Sequence, residues 1–258
     1  MTTDTYGAIL KGHFPSLVLV PSGGKEAIRS FAQIHEKILK KTIWGVEFFM
    51  LCDRDAIPLS PASQTPEGPS GARLKTLSKY HLENYFLDST IWAQVFSHME
   101  EEDSWLSKPD EIEKVLKGIA TESISYATSL QLSAQIRNDV GNIDVMPKDC
   151  FNKSIDDLLS SIDEKFEEEN KRVKNSLDKD VIMKMTTDIY NILSHSLSSG
   201  DEWKDNIPGR TILGKFASKT NMDVGRLKVM YIKEAEKLTP SPFQEIIDIF
   251  ESFELYGI

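Results

Sequence analysis

One segment constrains the fold of this 258-residue chain more than any other: Ile43-Trp44-Gly45-Val46-Glu47-Phe48-Phe49-Met50-Leu51. It is too apolar and aromatic for the one-sided face of a surface helix, and it stops at Cys52-Asp53-Arg54-Asp55. That pattern predicts a buried strand with acids at its carboxyl tip. Upstream, Ser16-Leu17-Val18-Leu19-Val20 is a second short β-branched run, ended by Pro21-Ser22-Gly23-Gly24, and it too predicts a buried strand. Between the two, Ile28, Phe31, Ile34 and Ile38 recur at helical spacing, and Lys37, Lys40 and Lys41 suit a helix C-terminus. Strand, helix and strand make a βαβ unit, which sets its polar residues outside the carboxyl ends of parallel strands. The glycine loop and Asp-Arg-Asp then share one edge.

Residues 57–72 are dense in Pro, Ser and Gly and predict a surface loop. Order resumes at Leu74-Lys75-Thr76-Leu77, and Tyr80–Leu87 fits either a strand or a helix. Beyond it the pattern predicts helices over about 89–100, 109–137, 152–177, 179–198, 211–220, 223–237 and 242–254, with Pro147, Gly200, Pro208-Gly209 and Pro240 as breaks. The Glu/Lys-rich stretch 162–174 suits a solvated helix face or the start of a short coiled coil. There is no internal repeat. An α/β module over residues 10–90, with a mostly α-helical region over 91–258 packed on it and available for partner or dimer contacts, is the expected organisation.

Forty acids against thirty Lys and Arg give a formal charge of -10, which argues against a protein that coats nucleic acid wholesale. The acidity is local, however. Residues 1–87 hold 10 basic and 8 acidic residues, residues 88–169 hold 7 and 19, and residues 170–258 hold 13 and 13. The first third is close to neutral, and Arg73, Lys75 and Lys79 with His81 suit phosphate, whereas the acidic middle suits a partner surface. Cys52 and Cys150 are too few and too far apart for a disulfide framework or zinc motif. No apolar run is long enough for a membrane span and no signal-peptide pattern opens the chain, so a cytoplasmic location and no membrane partner are expected.

Asp53 and Asp55, at i and i+2 on a strand end, can converge on a divalent ion, with Glu26 from the neighbouring loop as a third ligand. Hard oxygens suit Mg²⁺ or Mn²⁺, which can polarise a phosphodiester and activate water. Glu83, in an otherwise apolar and aromatic segment, is the candidate for a second ion or a general base. Lys25 and Lys79 are candidate partners for phosphate or transition-state charge. Purely structural roles are open too: the aspartates as turn or helix caps, Glu83 in a salt bridge, the lysines in solvent. Gly209–Lys215 has P-loop spacing but continues with Phe216 in place of Ser or Thr and follows no strand, so nucleotide binding there is not expected.

A strand, a glycine loop with an acid, a helix and an apolar strand ending in Asp-x-Asp resemble the TOPRIM domains of topoisomerases, primases and OLD-family nucleases. Leu77–Asp88, with Leu82-Glu83-Asn84-Tyr85-Phe86-Leu87, is similar to an element of the OLD-like TOPRIM nucleases that work beside ABC-type ATPases in bacterial anti-phage defence, PARIS systems included. Trp203-Lys204 and Pro208-Gly209-Arg210-Thr211-Ile212-Leu213 resemble a late element of that group. The resemblance implies a TOPRIM-type, Rossmann-like parallel sheet with a helical C-terminal region. It further implies an Mg²⁺- or Mn²⁺-dependent endonuclease with Glu26, Asp53, Asp55 and Glu83 at the metal. The implied role is a toxic effector cleaving host RNA such as tRNA, or DNA, under an ATPase partner, with a homodimer also open. The family usually carries its first glutamate directly after the strand, where this chain has Pro21. A protein that has lost catalysis and serves as a module docking to an ATPase is therefore the alternative.

Overall fold

The computed structural model describes residues 2–15, 17–21, 49–54, 74–141, 143–147 and 153–254. In chain order these form α1 (Thr2–Leu10), β1 (Met50–Cys52), β2 (Leu74–Thr76), a 3₁₀ turn (Leu82–Phe86), α2 (Ser89–Ser97), a second 3₁₀ turn (Trp105–Ser107), α3 (Pro109–Glu122) and α4 (Ile124–Val140). They continue through α5 (Ile155–Ser176), α6 (Lys179–Ser198), α7 (Trp203–Asn206), α8 (Gly209–Thr220), α9 (Val224–Ala235) and α10 (Gln244–Glu254).

Among the described residues 69% are helical, and their sheet is two parallel strands of three residues each. This overturns the expected α/β class and its TOPRIM-type, Rossmann-like sheet. The described apolar surface is buried helix on helix, and three-residue strands are too short to organise a layer. The run Leu17–Val20 is not in a strand: Val18 is 81% and Val20 78% exposed, and Leu19 alone of the two flanking leucines packs against the core. Its β-branched composition expresses a preference for extended backbone, which does not by itself supply a paired neighbour. The expected helix from Lys25, the first part of the 43–51 strand and the 57–72 loop lie outside the described residues. The end of the second expected strand, Met50–Cys52, pairs not with residues 17–20 but with Leu74–Thr76: Met50 lies beside Leu74, Leu51 beside Lys75 and Cys52 beside Thr76, in parallel register.

The helical remainder follows its sequence closely. Asp88 accepts the N–H groups of Thr90 (2.8 Å) and Ile91 (3.4 Å) to start α2, Asp178 likewise starts α6, and Asp223 starts α9. Pro109 opens α3, where its missing N–H costs nothing. The expected single helix over 109–137 is two, α3 ending at Glu122 and α4 starting at Ile124, with Ser123 between them donating its hydroxyl to the Ile119 carbonyl at 2.7 Å. Helix α1 has no counterpart in the sequence-level expectation, yet Ile9 and Leu10 are buried.

The core is aromatic. Trp92 on α2 meets Tyr231 on α9 at 4.7 Å between ring centroids and Phe216 on α8 at 5.4 Å. Phe86 lies 5.1 Å from both Tyr231 and Phe243, and Trp92 Nε1 donates to its carbonyl at 2.7 Å. The 3₁₀ turn is thus clamped by its last residue, which fixes Glu83 and Asn84 one turn earlier. Among the described residues no helix is long and apolar enough to cross a membrane.

Candidate functional site

The ladder between β1 and β2 runs one step further, with Leu77 N–H donating to the Cys52 carbonyl at 3.0 Å. Immediately beyond, Asp53 turns toward the 3₁₀ turn that follows β2. Its Oδ1 accepts the Leu82 N–H at 3.0 Å, and its Oδ2 lies 3.6 Å from Arg210 Nη2. Arg54 points elsewhere, donating to the Asp205 carbonyl at 2.7 Å and to Asn206 Oδ1 at 2.9 Å, so it fastens the strand end to α7.

Glu83 is buried within the 3₁₀ turn. Its Oε1 accepts from Lys228 Nζ at 2.8 Å, and the lysine is buried as deeply as the glutamate. Oε2 faces Arg210 Nε at 3.6 Å, is itself buried and accepts no hydrogen bond among the described residues. Burial, the largest single influence, pushes the Glu83 carboxyl up. The Lys228 charge and hydrogen bond, with Arg210, outweigh it and hold the group below its ordinary value. Tyr6 on α1 stands near both acids: burial, then the charges of Asp53 and Glu83, raise its phenol well above the ordinary range, so it stays protonated.

Arg210 is placed by a junction between the 3₁₀ turn Leu82–Phe86 and the segment 204–209 that leads into α8. The Asn84 side chain accepts the N–H groups of His81 (2.8 Å) and Gly209 (3.0 Å), and donates to the carbonyls of Lys204 and Ile207, both at 2.7 Å. A Cβ at Gly209 would come within 2.5 Å of Asn84 N, so no other residue fits there unchanged. Helix α8 therefore begins pressed against the 3₁₀ turn, and Arg210, its second residue, projects over Asp53 and Glu83. The P-loop-like spacing of 209–215 is the first turns of this helix, with Lys215 exposed and paired to Glu122.

Of the sequence-predicted site residues, Asp53 and Glu83 are brought together. Both also have the structural roles that the sequence left open, as a cap on the 3₁₀ turn and as a salt-bridge partner. Lys79 is ion-paired to Asp205 at 3.1 Å and lies 5.0 Å over the Tyr85 ring. Glu26, Asp55 and Lys25 lie outside the described residues. Sequence reasoning missed Tyr6, Arg210 as a site residue, and Lys228. Lys228 had one available signal, a lysine on the inward face of α9 among Leu227, Tyr231 and Ile232.

An ion of the Mg²⁺ or Mn²⁺ kind needs oxygen ligands, preferably charged ones. Asp53 Oδ2 and the unbonded Glu83 Oε2 both address one cationic group, the Arg210 guanidinium, so the acids fit a divalent ion in charge and donor type. Among the described residues no three His, Cys, Asp or Glu side chains form a metal cage, and Asp53 and Glu83 would be two of its ligands. Compared with protein-family models, curated proteins and solved structures, the chain has no match in any of the three.

Proposed function

We propose that the chain is a metal-dependent phosphodiester hydrolase acting on nucleic acid, with Asp53 and Glu83 holding Mg²⁺ or Mn²⁺. The observation that carries this reading is the convergence of the two carboxylates on one cation, with a buried Glu83 oxygen that accepts no hydrogen bond. Lys228 keeps Glu83 ionised, and the bond from Leu82 N–H fixes Asp53. Arg210, 61% exposed on its side chain, is positioned to bind a phosphate beside the acids. The ion, when bound, supplies charge for the phosphodiester oxygen and lowers the pKa of a water. Asp55 and Glu26 are the proposed further ligands, and Lys25 and Lys79 are proposed phosphate partners. The resemblance to OLD-like nucleases extends the proposal to a toxic effector of anti-phage defence, governed by an ABC-type ATPase and acting on host tRNA, other RNA or DNA.

A second reading is favoured by one specific observation. Arg210 and Lys228 already neutralise both acids, as they would in a non-catalytic module that docks to an ATPase. Calorimetric titration of Mn²⁺ into the wild type and into Asp53→Asn and Glu83→Gln separates the two, together with end-labelled tRNA and DNA cleavage. The hydrolase binds Mn²⁺ and loses activity about 100-fold or more in each variant while keeping its fold. Absence of Mn²⁺ binding by the wild type, or cleavage that survives both substitutions, would overturn it.

A further inference from the structure

Four charged side chains meet beyond the end of β1: the acids Asp53 and Glu83, and the cations Lys228 and Arg210. Their formal charges cancel, but the two cations are held very differently. Lys228 is buried and donates to Glu83 Oε1 at 2.8 Å. Arg210 is exposed and stands 3.6 Å from both Asp53 Oδ2 and Glu83 Oε2, beyond hydrogen-bond length on either side. Arg54, next to Asp53 in sequence, is tied to α7 instead. Arg210 also lies in the first turn of α8, which has no acid of its own. A cation at that end opposes the helix macrodipole, so it is the attraction of the two acids that draws the guanidinium over them.

A divalent ion held by Asp53 and Glu83 has to take the place of that guanidinium. With Arg210 in position, the ion enters a neutral cluster and meets a positive charge at close range. With Arg210 swung away, the two carboxylates and Lys228 sum to -1, and the ion brings the cluster to +1. The displaced guanidinium then needs an anion, and a phosphodiester offers one in bidentate geometry. The same phosphate is attracted by the positive cluster. Metal and nucleic acid therefore each favour the arrangement in which the other binds.

We propose that Arg210 is a resident cation that couples the two ligands: it covers Asp53 and Glu83 in the free protein, and nucleic-acid phosphate draws it off and so raises the affinity for Mg²⁺ or Mn²⁺. The inference rests on the metal-dependent hydrolase reading above and adds what governs metal loading. By linkage, the ion raises the affinity for nucleic acid by the same factor. Two partly exposed ion pairs, with the repulsion between guanidinium and divalent ion, set that factor at about ten. An ion alone loads weakly, so the protein without substrate keeps its acids covered.

Calorimetric titration of Mn²⁺ into the full chain, alone and saturated with a cleavage-resistant phosphorothioate oligonucleotide, reads the coupling without turnover. DNA and RNA forms of the oligonucleotide serve in parallel. In the wild type at least one form should tighten Mn²⁺ binding about tenfold or more. Arg210→Met, at an exposed position, should keep its circular dichroism spectrum and bind Mn²⁺ about tenfold more tightly without oligonucleotide. The oligonucleotide's effect on that variant should shrink by about the same factor. Lys215→Met removes another exposed cation of α8, one paired to Glu122, and should change neither quantity. Free-protein Mn²⁺ affinity unmoved by Arg210→Met, an oligonucleotide effect of equal size in wild type and Arg210→Met, or the same gain in Lys215→Met would overturn the proposal and leave the hydrolase standing. No Mn²⁺ binding by any of the three proteins, with or without oligonucleotide, would overturn the hydrolase and the proposal together.

Discussion

Replacing Lys228 by Met keeps the length of the side chain under Phe86 and removes only its charge, which leaves Glu83 buried without the ammonium that holds its Oε1 at 2.8 Å. Breaking a buried ion pair by deleting one partner costs about 3–5 kcal/mol. Arg210 at 3.6 Å from Oε2 offsets part of this, so the lower end, about 3 kcal/mol, is expected. With an unfolding entropy of ~2.1 cal/mol/K per residue, a chain of this size should lose roughly 5–6 °C in Tm at pH 7.5. The pH dependence carries the test. In the wild type Glu83 is held below its ordinary value. Its contribution is therefore present above the unfolded pKa of about 4.3 and is lost as pH falls through the lower, folded value. In Lys228→Met burial dominates and raises the carboxyl, so the variant loses stability as pH rises through that raised value. The gap between the two proteins should be widest near neutrality and narrow toward about pH 4. Calorimetric melts across that range check it, and Lys228→Met/Glu83→Gln should regain at least half the loss at pH 7.5. A Tm gap that does not change with pH, or a double variant no better than Lys228→Met, would refute the reasoning.

Two further substitutions probe the frame of the site. Gly209→Ala sets a methyl group against Asn84 backbone and side chain at 2.5–2.7 Å, so urea unfolding should show a loss of about 1–3 kcal/mol, as overpacking does, and Arg210 should shift away from the acids. Asp88→Ala removes the cap from Thr90 and Ile91 and should cost about 1 kcal/mol, with Mn²⁺ affinity unchanged.

Asp53 and Glu83 were legible because each interrupts an apolar context, one at the end of a strand and one inside a turn whose neighbours are all core. Their positive partners were not. Arg210 lies in a segment that looks like the entrance to an ordinary helix, and Lys228 on a helix whose spacing separates inside from outside but does not say what lies across the interface. The helix boundaries after Ser89 follow from caps and prolines such as Asp178, Pro109 and Asp223, which act locally. The sheet was misjudged for the opposite reason, since strands are confirmed only by a neighbour. Leu17–Val20 has the composition of a strand and exposes its valines. The break at Ser123 escaped notice because apolar residues continue across it, with Ile119, Ala120, Ile124 and Ala127 all buried.

The ion pair between Glu83 and Lys228 spans 145 positions of chain, and this bears on when the site comes into being during synthesis. A nascent chain that has already exposed Asp53 and Glu83 outside the ribosome must wait for helices α8 and α9 before either cation arrives. Until then the Glu83 segment has neither its counter-charge nor the aromatic neighbours Tyr231 and Phe243 that clamp Phe86. If the proposed hydrolase is harmful to its own cell, unfinished chains are inert by construction. Truncation anywhere before Lys228 should yield fragments without activity, however intact the acidic residues are.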